Sequence, residues 1–180
     1  MNDTTATTEA LTGERADILA QLRSARQFLR HTVQGLTEEQ ARLRTTVSAL
    51  TLGGLVKHVA AVERNWVDFA LEGPSAMPEY DMSTITEEQL REWEEGFRLV
   101  GDETLAGVLA EYERVAARTD EVVGSIDLDL AHDLPKAPWF TPGDRRSARR
   151  VFLHLVAETA QHSGHADILR EALDGQKTMG

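Results

Sequence analysis

SARRVFLHLVAETAQHSGHADILREALD, residues 147–174, decides both the fold and the place to look for chemistry. Advancing about 100° per residue from His154 puts Glu158 at about 40°, His162 at about 80° and His165 at about 20°. Val151, Leu155, Leu169 and Leu173 fall on the same side, at about 60 to 100° by the same rule. Arg149, Ser163, Asp167, Arg170, Glu171 and Asp174 fall roughly opposite. The stretch therefore reads as a long amphipathic helix whose apolar stripe is interrupted by one carboxylate and three imidazoles. Such groups facing a core cost roughly several kcal/mol unless they are hydrogen-bonded, paired or bound to a metal. A local conflict of this kind between pattern and chemistry is expected at functional sites.

Upstream, the same periodicity recurs. Ile18, Leu22, Ala25, Leu29 and Val33 step by three or four, predicting a helix from Glu14 to about Gln34 that stops near Gly35. Thr37 with Gln40 makes a capping box for a short helix, and residues 45–50 read as extended or loop. Thr51 caps a second long helix, Leu52 to about Leu71, on which Leu55, Val62, Trp66 and Phe69 share a face with His58. Gly73-Pro74 ends it, and residues 73–85 are a loop. Thr86 with Gln89 opens another short helical stretch, to about Val100, and Asp102-Glu103-Thr104 leads into a third long helix ending near Val123. Residues 124–143 are irregular, with Pro135, Pro138 and Pro142, and hold Trp139 and Phe140, which could cover one end of the bundle. No strand pattern stands out. Four long helices with shorter ones in the loops predict an all-α four-helix bundle, with crossover connections at the long loops. Residues 1–12 are polar and Thr-rich and read as a flexible tail, leaving residues 13–176 as one domain.

Composition narrows the function classes. A net charge of −11 argues against a nucleic-acid partner, which needs clustered Lys and Arg. Arg145, Arg146, Arg149 and Arg150 do cluster, and read as a solvated face near a helix start. With no cysteine, disulfides, thiolate metal sites and a cysteine nucleophile are excluded, so any thiol chemistry needs a thiol from outside the chain. MNDTTATTEA has no apolar segment of a secretory signal and no 18-residue apolar run exists, which predicts a cytoplasmic chain without a membrane segment.

Bundles build metal sites from side chains on facing helices. Glu158 and His162, spaced four apart on one face, can reach one point, and His58 is the histidine centred in another long helix's apolar stripe. Three N/O ligands would leave a position open for water or substrate, as catalytic sites do. The same three residues also fit a satisfied core histidine and a helix-surface Glu/His pair. His154 and His165 are alternative ligands or supports for the ligands, while His31 and His132 lie outside the pattern. The zincin sequence H-E-x-x-H is absent.

Residues 46–66, TVSALTLGGLVKHVAAVERNW, together with residues 154–175, HLVAETAQHSGHADILREALDG, resemble the DinB-like superfamily. The nearer likeness is to its branch of small proteins known as the DUF664 or mini-circle group, and the chain is also similar to the N-terminal domain of mycothiol-dependent maleylpyruvate isomerase. The resemblance covers about residues 12–176 and implies a four-helix bundle holding a divalent metal, usually zinc or nickel, with dimers common among similar proteins. It places His58, Glu158 and His162 at the ligand positions, and a His–Glu–His set is closer to the isomerase than to the all-His relatives. His165 stands where many relatives carry Gln, making it the candidate catalytic residue beside the ion. The isomerase carries an extra C-terminal domain that is not expected for this chain, so that isomerisation in particular is not implied.

The expectation is a metal-dependent enzyme of the thiol-transferase type, activating a low-molecular-weight thiol such as mycothiol for attack on a small electrophile. Trp66 and His154 would line the substrate pocket, though each also fits as plain core. Two rival readings remain open from the residues: a metal-hydroxide hydrolase of small molecules, and a non-catalytic metal- or ligand-binding, stress-related bundle.

Overall fold

A computed structural model of the chain describes residues 11–77, 79 and 84–178, and six α-helices order them. These are α1 (Glu14–Thr32), α2 (Glu38–Arg42), α3 (Leu52–Glu72), α4 (Glu87–Glu95), α5 (Leu105–Ser125) and α6 (Ala148–Asp174), with a 3-10 turn at Pro74–Ala76. The expected tail lies outside the described residues except for Leu11 and Thr12, as do residues 78 and 80–83 of the 73–85 loop. The caps fall where side-chain chemistry put them. Thr37 and Thr86 each form a full capping box with Gln40 and Gln89, and the Thr51 and Ser147 hydroxyls accept from Gly54 and Arg150 N–H.

The four long helices form the expected all-α bundle. Helix α1 packs along α6, and α3 packs along both α5 and α6, so that α1 and α3 lie diagonally, as do α5 and α6. The diagonal crossings are thus made by residues 33–51 and 126–147. The longest connection, between α3 and α5, joins neighbours instead, which differs from a crossover at both long loops. Among the described residues no helix is long and apolar enough to cross a membrane.

Two apolar clusters fill the bundle, one around Leu22, Trp66, Phe69, Val123 and Phe152, the other around Leu29, Leu55, Val59, Tyr112 and Leu169. A buried polar layer stands alongside them. The Arg26 guanidinium donates to both Glu63 carboxylate oxygens at 2.6 and 3.2 Å and to Asp120 Oδ1 at 2.7 Å, tying α1, α3 and α5 together. Glu63 is fully buried and Arg26 nearly so, and a buried charge is tolerable only when its hydrogen bonds are filled in this way. Ser163 Oγ donates to Thr159 O at 2.7 Å and lies 3.3 Å from Ala25 O.

Two side chains assigned to the outer face of α6 are therefore buried. Ser163 faces α1, and Arg170 donates to Thr32 O and Gln34 O, both at 2.9 Å, closing the C-terminal end of α1. The physical reason is that α6 packs on two helices at once. Its buried residues (Val151, Phe152, Leu155, Thr159, Ser163, Ala166, Leu169) span about 60 to 180° on the wheel. The leucine stripe marked only one half of that face, and the His/Glu cluster sits at its margin rather than its centre.

Two further departures shape the site. The stretch from Thr86 ends as a helix at Glu95, not near Val100. Gly96 N–H closes it on Glu92 O at 3.0 Å, after which Lys57 Nζ donates to Glu95 O and Arg98 O, and Arg42 to Leu99 O, drawing residues 96–99 down onto the start of α3. This approach is close enough that a Cβ on Gly54 would stand 1.8 Å from Phe97 O. In the irregular 124–147 region, β1 (Ala131–Asp133) pairs antiparallel with β2 (Arg145–Ser147), His132 opposite Arg146. Three-residue strands are too short to show a period of two in sequence. The ribbon is anchored to the first turn of α6 by Ala148 N–H to Leu130 O at 2.8 Å and Arg149 N–H to Leu128 O at 3.0 Å.

Candidate metal centre

His58 leaves the second turn of α3, while Glu158 and His162 leave consecutive turns of α6, which packs beside it. The fold thereby brings the three sequence-predicted ligands together. One ligand-capable atom from each lies within 4.8 Å of the other two. His162 Nε2 is 3.1 Å and His58 Nε2 3.8 Å from the same oxygen, Glu158 Oε1. Ligands about 2.1 Å from a tetrahedral ion stand about 3.4 Å apart, a spacing these two distances bracket. Two imidazoles and a carboxylate form a donor set suited to zinc and its neighbours. All three are partly buried, and Glu158 also lines the adjoining cavity.

The carboxylate is the electrostatic centre of the group. The His162 hydrogen bond, and next the His58 ring nitrogen, hold the Glu158 carboxyl far below the usual carboxylate range, outweighing a burial that acts the other way. Glu158 is thus a fixed negative charge between two imidazoles, and the electrostatics suit a cation there.

The surrounding rings fix the imidazoles. Phe97 stacks on His58 with centroids 4.1 Å apart and planes 22° from parallel, and the His162 ring meets His58 edge-on at 4.8 Å. His165 contacts the far side of His162, with Nδ1 to Nδ1 at 3.4 Å. It stands behind one ligand candidate. His154 lies one turn before Glu158 and packs edge-on against Trp66 at 4.9 Å. Burial first, and then the charge of Arg146, push its imidazole below the ordinary histidine range, which keeps it uncharged near neutral pH.

Trp66 is both core and wall: it is 5% exposed, yet it lines a cavity of about 340 Å³ with Val62, Phe140, Arg146, His154 and Glu158. Trp139 and Phe140 cover this end of the bundle, as their sequence position implied. His31 is exposed on α1, whereas His132 lies in β1 against Phe69.

Sequence reasoning missed two residues at this site. Phe97 fell inside a stretch read as regular helix, and only the turn after Gly96 carries it over His58. Arg146 was grouped with a solvated basic face. In the fold Arg145 pairs with Asp133 and Arg149 with Glu14 and Asp129, but Arg146 turns inward, its guanidinium carbon 4.5 Å from the Trp66 ring centroid. The signal for it was present as Trp139-Phe140 a few residues before the arginine pair, within one Pro-rich loop.

Comparison with known proteins agrees with the fold and adds a family. Residues 17–175 match the family described as Mycothiol-S-transferase. Among solved structures, a conserved protein from Enterococcus faecalis superimposes with a TM-score of 0.65 at 14% identity, covering 92% of this chain and all of that one. At that identity the likeness concerns the fold alone. No curated protein matches the sequence significantly.

Proposed function

The chain belongs to the mycothiol-S-transferase family, a DinB-like family, and from that premise we propose that it joins a low-molecular-weight thiol to a small electrophile at a divalent ion, zinc or nickel, held by His58, Glu158 and His162. The observation carrying the metal part is the convergence of these three donors, from two helices, with one ligand-capable atom of each within 4.8 Å of the others. A bound ion supplies a lowered thiol pKa, so that thiolate is available at neutral pH.

The chain's own residues do the rest. Glu158 would supply the negative charge that retains a cation between the two imidazoles. Phe97 keeps the His58 ring from rotating off the site, and Trp66 and His154 wall the adjoining cavity. His165 acts as a positioning residue. If His162 held an ion through Nε2, its proton would reside on Nδ1, 3.4 Å from His165 Nδ1, which would accept it. In the reaction the thiol proton leaves to solvent, the sulfur forms a bond to the electrophilic carbon, and the leaving group departs with its bonding pair.

The test pairs elemental analysis with a conjugation assay, using purified wild type and His162→Ala, mycothiol and chlorodinitrobenzene. Wild type is expected to carry close to one divalent ion per chain and to form the thioether, and the variant to lose both. Unchanged metal content in the variant overturns the ligand assignment. Turnover of an ester or amide panel without thiol, with no thioether formed when thiol is supplied, would replace thiol transfer by hydrolysis.

A further inference from the structure

We propose that the cavity between α3, the 134–144 loop and the start of α6 binds a carboxylate-bearing molecule with a flat apolar body, and that Arg146 is the residue that selects for the carboxylate. In the thiol-transfer reading this molecule is the electrophile, and the inference rests on that reading for the word electrophile but not for the binding itself.

The first support is an unanswered cation. Among the described residues no carboxylate lies within ion-pair distance of Arg146, and its Nη1 is buried without a hydrogen-bond partner. A buried guanidinium donor left unfilled is costly, and a carboxylate is the group that fills its fork best. Two of the neighbouring arginines are committed to acids and Arg150 is exposed to solvent, so the exception is particular to this side chain. Burial, and then the nearby Arg150 charge, push the Arg146 guanidinium below its ordinary value, with the Asp144 charge acting in the other direction.

The second is geometry. The guanidinium is held against two aromatic faces, 4.5 Å from the Trp66 centroid and 5.3 Å from Phe140, which fixes its plane before any ligand arrives. The remaining lining is largely apolar, from Val62, Met77, Pro135, Ala137 and Trp139. About 340 Å³ is at the small end of ligand sites and suits a single ring or short conjugated chain.

The third is polarity across the cavity. Arg146 stands at one side and Glu158, the carboxylate of the candidate metal centre, lines the same space. A ligand whose carboxylate is held in the Arg146 fork extends its uncharged part across the cavity, toward the His58, Glu158 and His162 cluster. The larger cavity near Phe97, about 580 Å³, lacks this feature. Its arginines are engaged: Arg42 with Leu99 O and Gly101 O, Arg44 with Ser48 O, and Arg98 with Glu95.

Benzoate and its neutral isostere benzamide are the probes, titrated into full-length protein and followed by tryptophan fluorescence, since Trp66 and Trp139 both line the cavity. A parallel chelator-treated sample separates a carboxylate held by Arg146 from one held by an ion. Wild type is expected to prefer benzoate by roughly tenfold or more in both samples. Arg146→Gln should erase the preference by weakening benzoate while leaving benzamide unchanged, and Arg146→Lys should keep part of it. Equal binding of the two probes by wild type overturns the proposal. So does a preference that disappears on chelation, or an Arg146→Gln variant that retains it with an unchanged melting temperature. Because neither probe needs a thiol, selective benzoate binding without conjugation activity would remove the thiol-transfer reading and leave this one standing.

Discussion

Replacing Gly54 with alanine tests how the site is assembled, because one methyl group there acts on His58 through another segment. A Cβ at position 54 would meet Phe97 O at 1.8 Å and Phe97 C at 2.3 Å. Real Cβ atoms essentially never come within 3.0 Å of such a neighbour, so the 96–99 turn has to retreat by about 1.2 Å or more. The obstacle is backbone and cannot step aside by a rotamer change. The turn is also pinned by Lys57 and Arg42. Overpacking of this kind costs about 1–3 kcal/mol, offset by up to about 1 kcal/mol of helix propensity. For a chain of this size a net loss of about 1–2 kcal/mol lowers the melting temperature by about 2–8 °C. Retreat also takes Phe97 off His58, where the centroids now stand 4.1 Å apart, so divalent-metal affinity should fall with stability. Thermal unfolding by circular dichroism, beside a competition titration with a chelating dye, reads both. Gly164→Ala is the control: it lies mid-α6, between His162 and His165, and its Cβ would meet nothing within 4 Å. That change should stabilise by about 0.5–1 kcal/mol. A Gly54→Ala protein as stable as wild type, or stabilised like Gly164→Ala, would refute the close-approach argument.

Two further outcomes are expected. Glu63→Gln keeps the volume of a fully buried side chain but sets an amide against the Arg26 guanidinium, and should cost about 3–5 kcal/mol in urea unfolding; a loss below about 1 kcal/mol would mean that Asp120 alone satisfies Arg26. His165→Ala should leave the fold intact and lower divalent-metal affinity roughly tenfold to a hundredfold, and an unchanged affinity would remove the positioning role assigned through His162.

The architecture was legible because helical periodicity and capping chemistry are local. Val151, Leu155 and Leu169 on one face, and Thr37, Thr51 and Thr86 before their helices, specify elements without reference to the rest of the chain. The pair Glu158 and His162 was equally local, since four residues make one helical turn. His58 could be named as their partner as the histidine in another buried stripe and from the family resemblance, and the packing of α3 on α6 put its Nε2 3.8 Å from Glu158 Oε1. Burial of Ser163 and Arg170 was not legible, because it depends on α6 touching α1 as well as α3. Phe97 over His58 and Arg146 over Trp66 were not legible either. Each is set by a short irregular segment, one held by Lys57 and Arg42, the other by a three-residue strand pairing, and such contacts between distant residues leave no periodic trace. The sequence by itself determined the helices, their apolar faces and the donor types. Tertiary structure alone decided which of them meet, because a side chain's partner across a bundle is fixed by interhelical packing that no local window contains.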